Sequence, residues 1–331
     1  MKLFFKTLII IIISELLILN TSFSATSPKN FNEWLISFEA LALQKGISAN
    51  TIKIVFKDVK FLDQVIKYDR KQPEFFEDTI TYVSKRASIS RAYKAKKLLE
   101  DNKKLFVKVE DEFDVEKEIL LSLWGIETNF GKHVGKMDII SSLATLSYDQ
   151  RRSKFFTSQL LILLKLVDKK LIDPNTLYGS WAGAYGNFQF MPSSIERYAL
   201  DYDKNNKIEL KDSLDDALAS AANYINKIGW RINEPCFYKV KLTKNINKKY
   251  INLSARKIKN KLKIKSWQKK GIVIADNFNP SANLKGALIM PDGKPNSPTY
   301  IVFNNYEKIL QWNRSLRFGI TVCTLADMIK S

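Results

Sequence analysis

The chain has 331 residues, of which 53 are Lys or Arg and 34 are Asp or Glu, for a net charge of +19 at pH 7. A single histidine, His133, rules out a multi-histidine metal site and a histidine-based triad anywhere else, and reads as a surface loop residue. The positive balance favours an anionic partner, whether nucleic acid, a membrane face or an acidic polymer.

The N-terminus predicts a secretory signal over residues 1–24. Lys2 and Lys6 form a positive start, Leu8 to Leu19 is apolar except for Ser14 and Glu15, and Ser22-Phe23-Ser24 offers a cleavage site before Ala25. The apolar run is too short and too interrupted for a transmembrane helix. No Cys follows it, so a lipid-anchored mature N-terminus is not expected. The predicted product is an exported, periplasmic protein, which argues against nucleic acid as its partner. A cell-wall polymer carrying carboxylates fits both export and charge.

Residues 25–110 read as a helical subdomain. Phe31, Trp34, Phe38 and Leu41 share one helical face, Gly46 stops that helix and Ser48 caps the next. Asp69-Arg70-Lys71-Gln72-Pro73-Glu74-Phe75 is a polar break, with Pro73 suited to a first helical turn. From 111 to 231 the helices continue: Val115 to Ile126, Asp138 to Leu146, Arg151 to Leu171 and Ser213 to Ile228. A loop over 173–192 rich in Gly, Pro and aromatics interrupts them, and Ser193-Ser194-Ile195-Glu196 reads as a capping box after Pro192.

Composition then shifts. Thirteen Lys or Arg and no acid fall between Lys239 and Lys270. Alternation such as Leu262-Lys-Ile264-Lys suggests short strands with one wet face, and Asn279-Pro280 and Pro291-Asp-Gly293 are turns. Residues 232–299 are therefore expected to form a small basic β-containing subdomain, either simply solvated or facing the wall or a membrane. Residues 300–331 return to the core through a buried strand at Tyr300 to Phe303 and a closing helix at Ile320 to Ile329. Cys236 and Cys323 could pair in an oxidising compartment, but sequence gives no distance between them. The expected class is α+β, mostly α.

The chemistry concentrates at Glu127, placed where an apolar helix gives way to a loop in Trp124-Gly-Ile-Glu-Thr-Asn-Phe-Gly131. Desolvation there resists ionisation, so the carboxyl can carry a proton to a leaving oxygen. Taken alone, such a residue is also what an ordinary polar helix end looks like. Asp149 is the nearest rival acid and reads as solvent-facing beside Arg151 and Arg152. A second site is suggested by Asp201-Tyr-Asp203-Lys-Asn205-Asn-Lys207-Ile-Glu209-Leu-Lys-Asp212. Side-chain oxygens fall at positions 1, 3, 5, 9 and 12 of an EF-hand-like calcium loop, with the Lys207 carbonyl at position 7. Asn206 replaces the usual Gly, and Asp212 is short for a bidentate ligand. The alternative is a plain solvated turn.

The motifs at Asp69–Phe75, Trp124–Gly131, Leu143-Ala-Thr-Leu-Ser147, Gly179-Ser-Trp-Ala-Gly-Ala-Tyr-Gly-Asn-Phe-Gln-Phe-Met-Pro-Ser193, Ala222-Asn-Tyr-Ile225 and Ile309-Leu-Gln-Trp-Asn-Arg-Ser315 occur together, in order. In this the chain resembles the lytic murein transglycosylases of type B (glycoside hydrolase family 103). The resemblance implies a lysozyme-like helical core with a helical N-terminal subdomain and an inserted β subdomain. It implies non-hydrolytic cleavage of the β-1,4 MurNAc–GlcNAc bond of peptidoglycan glycan strands to 1,6-anhydro ends, with Glu127 as the single acid/base and no cofactor for the chemistry. Ser180, Gln189, Tyr224 and Asn313 match groove positions of that family, with the Tyr224 hydroxyl near the catalytic carboxyl. Trp312 and Phe318 stand where tyrosines are more usual, keeping a stacking face and losing a phenol. The resemblance also implies a structural calcium at the 201–212 loop, and cell-wall remodelling proteins are plausible partners. The other readings are a hydrolytic muramidase, which would need a second placed carboxylate, and a non-catalytic peptidoglycan-binding scaffold.

Overall fold

The computed structural model describes residues 30–71, 77–274 and 281–331. The expected signal peptide, the Pro73 turn and the Asn279-Pro280 turn lie outside the described residues.

Helix α1 (Phe31–Gln44) begins where the Asn30 side chain accepts the Glu33 amide, and α2 (Ala49–Val55) where Ser48 accepts the Thr51 amide. Phe31, Trp34 and Phe38 stack in series, with Tyr148 and Phe61 against them edge-on, so the aromatic face is core packing. Helices α3 (Asp63–Arg70), α4 (Thr79–Arg86), α5 (Ile89–Asp101) and α6 (Lys103–Phe113) follow. Helix α7 (Lys117–Thr128) is buried almost all round, from Ile119 to Gly125 and again at Thr128. Such a helix has no wet face until its end and must sit in the middle of the fold. Glu127 lies within its last turn, two residues before the helix gives way at Asn129, and does not begin the loop as expected.

The two-residue strands β1 (Met137–Asp138) and β2 (Tyr178–Gly179) pair antiparallel and bracket α8 (Ile139–Tyr148) and α9 (Ser153–Asp168). Helix α10 (Pro192–Tyr198) starts at Pro192 itself, where the missing N–H costs nothing. The expected capping box is not used: the Ser193 amide donates instead to the Gln159 side chain of α9, 3.0 Å away. Helix α11 (Leu214–Lys227) is capped by Ser213.

The basic region folds into a six-stranded sheet of β3 (Phe237–Leu242), β4 (Ile251–Asn252), β5 (Leu262–Lys263), β6 (Ile272–Ile274), β7 (Lys285–Ile289) and β8 (Thr299–Val302). The order is β4-β7-β8-β3-β6, with β5 also on β7. Strand alternation buries both faces. Ala287, Ile289, Tyr300 and Val302 pack on Tyr306, Leu310, Leu316 and Ile320 of α13 (Asn304–Trp312) and α14 (Leu316–Lys330). Leu288, Ile301 and Val240 pack instead on Ile264 and Trp267 of α12 (Ile264–Lys269).

Two expectations change here. The alternation at Leu262 yields only a two-residue strand, because Ile264 and Trp267, three apart, bury one side of a helical turn. The boundary expected at 299/300 would cut β8, which pairs with both β7 and β3 near the middle of the sheet. Cys236 and Cys323 form a disulfide, Cα to Cα 6.2 Å, tying the entry of β3 to α14. Helix α14 also packs along α7, so it joins the sheet to the helix that carries Glu127. Among the described residues no helix is long and apolar enough to cross a membrane.

Candidate active site

The chain past Glu127 is bent by three consecutive residues with positive φ: Asn129 at 51°, Phe130 at 60° and Gly131 at 78°. The Phe130 amide returns to the Trp124 carbonyl and the Asn129 amide to the Gly125 carbonyl, closing the helix C-terminus. Phe130 then folds back on its own helix. A Cβ on Gly125 would stand 2.7 Å from the Phe130 ring, which explains a glycine inside a buried helix.

Asn187, in the Gly-rich loop, fixes this turn. Its Oδ1 accepts the Trp124 indole N–H at 2.9 Å and its carbonyl accepts the Thr128 hydroxyl at 2.7 Å. Its Nδ2 donates to the carbonyls of Leu210 and Lys211. Only 6 % of Asn187 is exposed, so each of these bonds would be costly to lose. One side chain thus couples the end of α7, the loop at 179–191 and the segment leading to α11. Gly183 and Gly186, at φ 84° and 77°, make the backbone turns that the loop requires.

Glu127 Oε1 accepts the indole N–H of Trp312 at 2.9 Å. Trp312 stacks on Tyr224 at 4.8 Å, and Tyr224 on Tyr198 at 4.3 Å with the rings 5° from parallel. Phe190 and Phe188 meet Trp312 edge-on. Trp312, Tyr224 and Tyr198 line an open groove of about 1740 Å³, together with Ser193, Ser194 and Met191. The groove also carries Lys67, Arg70, Lys71, Arg152, Arg197, Arg256 and Arg314, and among the described residues no Asp or Glu lines it. Glu127 is not itself among the lining residues; it is bound to Trp312, which is.

The tryptophan that replaces a tyrosine therefore does not lack a polar contact, since its N–H meets the carboxylate directly. Tyr224 donates to the Gln311 carbonyl at 3.3 Å, and burial pushes its phenol above the usual tyrosine range. Phe318 is a correction. It is 3 % exposed, on the first turns of α14 and inside the core, so its ring presents no stacking face to a sugar. Gln189 spends its amide N–H groups on the Val134 and Gly186 carbonyls, at 3.1 and 2.9 Å. The Ser180 hydroxyl accepts the amides of Ala182 and Ala184. Both hold the loop in shape. Asn313 caps the end of α13 beside Trp312, half-buried.

Asp149 is a second correction. It is not solvent-facing: its side chain is 20 % exposed and bound by Arg70 at 2.8 Å. The adjoining acid is the one with no expected role. Asp69, in the last turn of α3, is 2 % exposed and accepts from Arg70, Arg151 and Arg152 together. Only the motif at 69–75 marked that position in the sequence; Arg70 is its chain neighbour, and Arg151 and Arg152 come from beyond the end of α8.

The 201–212 loop folds as its spacing predicts in one respect and departs from it in another. Asn206, at the position usually held by glycine, has φ 67°, and the amides of Asn205 and Asn206 donate to Asp201. However, the carboxylate grouped with Asp201 and Asp203 is Asp216, and Asp212 is not part of the group. Asp216 lies in the first turn of α11, fully buried, and accepts the amides of Tyr202 at 2.7 Å and Glu209 at 2.9 Å. The 12-residue count placed the closing acid on a residue that the turn before α11 carries elsewhere. Burial and the charge of Asp203 push Asp216 above the usual carboxylate range, while the backbone amides pull it back.

Comparison with known proteins agrees with this arrangement. The transglycosylase SLT domain family matches residues 30–327, and the chain belongs to it. Over 119 residues it is 41% identical to membrane-bound lytic murein transglycosylase B of Escherichia coli (strain K12), a match that spans 36% of this chain and 33% of that protein. SltB3 from Pseudomonas aeruginosa, solved with NAG-NAM-pentapeptide, superposes with a TM-score of 0.84 at 31% identity, over 92% of this chain and 80% of that one. The Escherichia coli lytic transglycosylase SLT35, solved with calcium, shares the fold at a TM-score of 0.75 and 24% identity, over 89% of this chain and 92% of that one. The α+β, mostly helical class is the one these structures share.

Proposed function

We propose that this member of the transglycosylase SLT family cleaves peptidoglycan glycan strands without water, using Glu127 as its one acid/base. The carrying observation is Glu127 at the end of a buried helix, bound by Trp312, whose aromatic column lines the cation-rich groove. Glu127 protonates the glycosidic oxygen as the C1–O bond breaks, and the substrate's 2-acetamido group supports the developing charge at C1. The carboxylate then takes the proton of the muramyl C6 hydroxyl, whose oxygen closes on C1 to give the 1,6-anhydro ring. The proton count balances with Glu127 returned to its starting form.

The usual two-carboxylate route of a hydrolytic muramidase places a second carboxylate about 5–9.5 Å from the first, as nucleophile or to activate water. Asp69 is buried behind three guanidiniums and Asp149 is held by Arg70, so neither supports that reading. The aromatic column Tyr198–Tyr224–Trp312 favours sugar rings. The cation-rich walls favour the carboxylates of peptide-bearing strands, such as those named in the SltB3 complex. In this reading residues 111–231 form the catalytic core and the exported chain works in the periplasm.

A calcium ion fits the 201–216 region as a structural element. Asp201, Asp203 and Asp216 would hold it, with Asn205 and the Lys207 carbonyl nearby in sequence. A cation there would relieve the repulsion among three carboxylates and tie the loop to α11.

Mass spectrometry of fragments released from purified peptidoglycan tests the main reading, with Glu127→Gln alongside. Fragments ending in anhydromuramic acid, absent from the variant, are expected. Reducing muramyl ends would sink the non-hydrolytic mechanism.

A further inference from the structure

The β unit carries charge out of proportion to its size. Of the thirteen Lys and Arg between Lys239 and Lys270, eleven are exposed. Among the described residues, only Lys261 has an acidic partner, Glu307. The surface is ordered. Asn252 is buried and brackets Lys259 through both its amide and its carbonyl, and Ala255 and Ile258 pack on the sheet's core. Lys257 and Lys259 are therefore displayed by a fixed loop. The same loop sends Arg256 into the groove wall, so the loop that displays Lys257 and Lys259 reaches the groove.

The kind of cation matters. Twelve of the thirteen are lysines, compact hydrated charges without the planar fork that grips one carboxylate or phosphate. Many such charges attract a polyanion collectively, without fixing its register.

We propose that this surface is a second docking site, outside the groove, for the peptide stems of the wall polymer, whose free carboxylates supply the complementary charge. The choice of polymer rests on the proposed function; the existence of the surface does not. Docking here holds the chain on an insoluble mesh while the groove engages one strand of it.

Co-sedimentation of the full chain with insoluble sacculi, across increasing NaCl, tests this. The variant combines Lys244→Glu, Lys257→Glu, Lys259→Glu and Lys265→Glu, all exposed and none in the groove lining. Affinity for sacculi should fall about tenfold at low salt, and the difference should vanish near 0.5 M salt, where the screening length is only about 4 Å. Cleavage of short soluble glycan fragments should be unchanged. Sacculi stripped of peptide stems, which keep only the lactyl carboxylate freed by amide cleavage, should bind more weakly at low salt. A Lys→Gln set at the same positions, expected to show a smaller loss, carries the test if the Glu set misfolds.

Unchanged sacculus binding by both sets, or binding insensitive to salt, would overturn the proposal. Tighter binding to phosphatidylglycerol vesicles than to sacculi would also overturn it and make this a membrane-facing surface. Failure of the wild type to cut soluble glycan would count against the groove reading alone.

Discussion

Glu127 and Asp69 are both carboxylates in the last turn of a helix, the end where the helix dipole disfavours negative charge. Each binds a residue that lines the same groove, Arg70 and Arg152 for Asp69 and Trp312 for Glu127, but their partners differ. Asp69 is surrounded by Arg70, Arg151 and Arg152, buried to 2 %, and both its oxygens are met by guanidinium donors. Glu127 is half-buried and accepts from the neutral indole of Trp312 at the end of an aromatic column. The first carboxylate organises cations, two of which line the groove, and cannot itself meet a substrate. The second keeps partial exposure and a single neutral donor, as the proposed acid/base role requires. Burial and partners thus set the two carboxylates apart.

Exchanging the two losses breaks the comparison most directly. Glu127→Gln should lower turnover by about 10²–10⁴-fold with little change in thermal stability. Asp69→Asn should do the reverse, costing about 3 kcal/mol of stability, the low end for breaking a buried pair because the guanidiniums are partly exposed. Its turnover at saturating substrate and low temperature should stay within a few-fold of wild type. Denaturant melts and fragment release on the same samples check both, and a catalytic collapse in Asp69→Asn with an intact fold would return Asp69 to the mechanism.

Trp312→Phe sharpens the contrast with a smaller effect. The ring keeps its stack on Tyr224, but the carboxylate loses an N–H donor that favours its ionised form. Turnover should therefore fall about tenfold, and unchanged turnover would mean that the indole does not govern the acid.

Asp216 offers a third environment, with backbone amides as partners in place of guanidiniums or an indole. If calcium binds there, adding it should raise the melting temperature of the wild type by a few degrees, and Asp203→Asn should abolish the shift. Equal melting curves with calcium and with chelator would leave the loop as a self-supporting turn.

Much of this was legible in the sequence. The apolar run placed Glu127 at the end of α7, although the helix runs two residues past the expected stop at Ile126, and Ser48 and Ser213 set their helix starts, because caps and periodicity act over three or four residues. Gly183 and Gly186 announced turns that their φ values require. Misplaced expectations involved partners distant in the chain. Phe318 sits in the core because α14 turns it inward between the sheet and α7. Asp149 is bound by an arginine 79 residues away, and the acid that joins Asp201 and Asp203 is four residues past the one that spacing selects.

The sequence by itself determined the helical class, the candidate acid Glu127, the motifs around it and the basic character of the β unit, since each is carried by residue type or local spacing. Only the tertiary structure decided that Trp312, 185 residues from Glu127, supplies its donor, that Asn187 locks the turn beneath it, and that three arginines converge on Asp69. It also joined Cys236 to Cys323. Those pairings depend on how helices and sheet pack, and packing brings together side chains whose separation along the chain carries no trace of their contact.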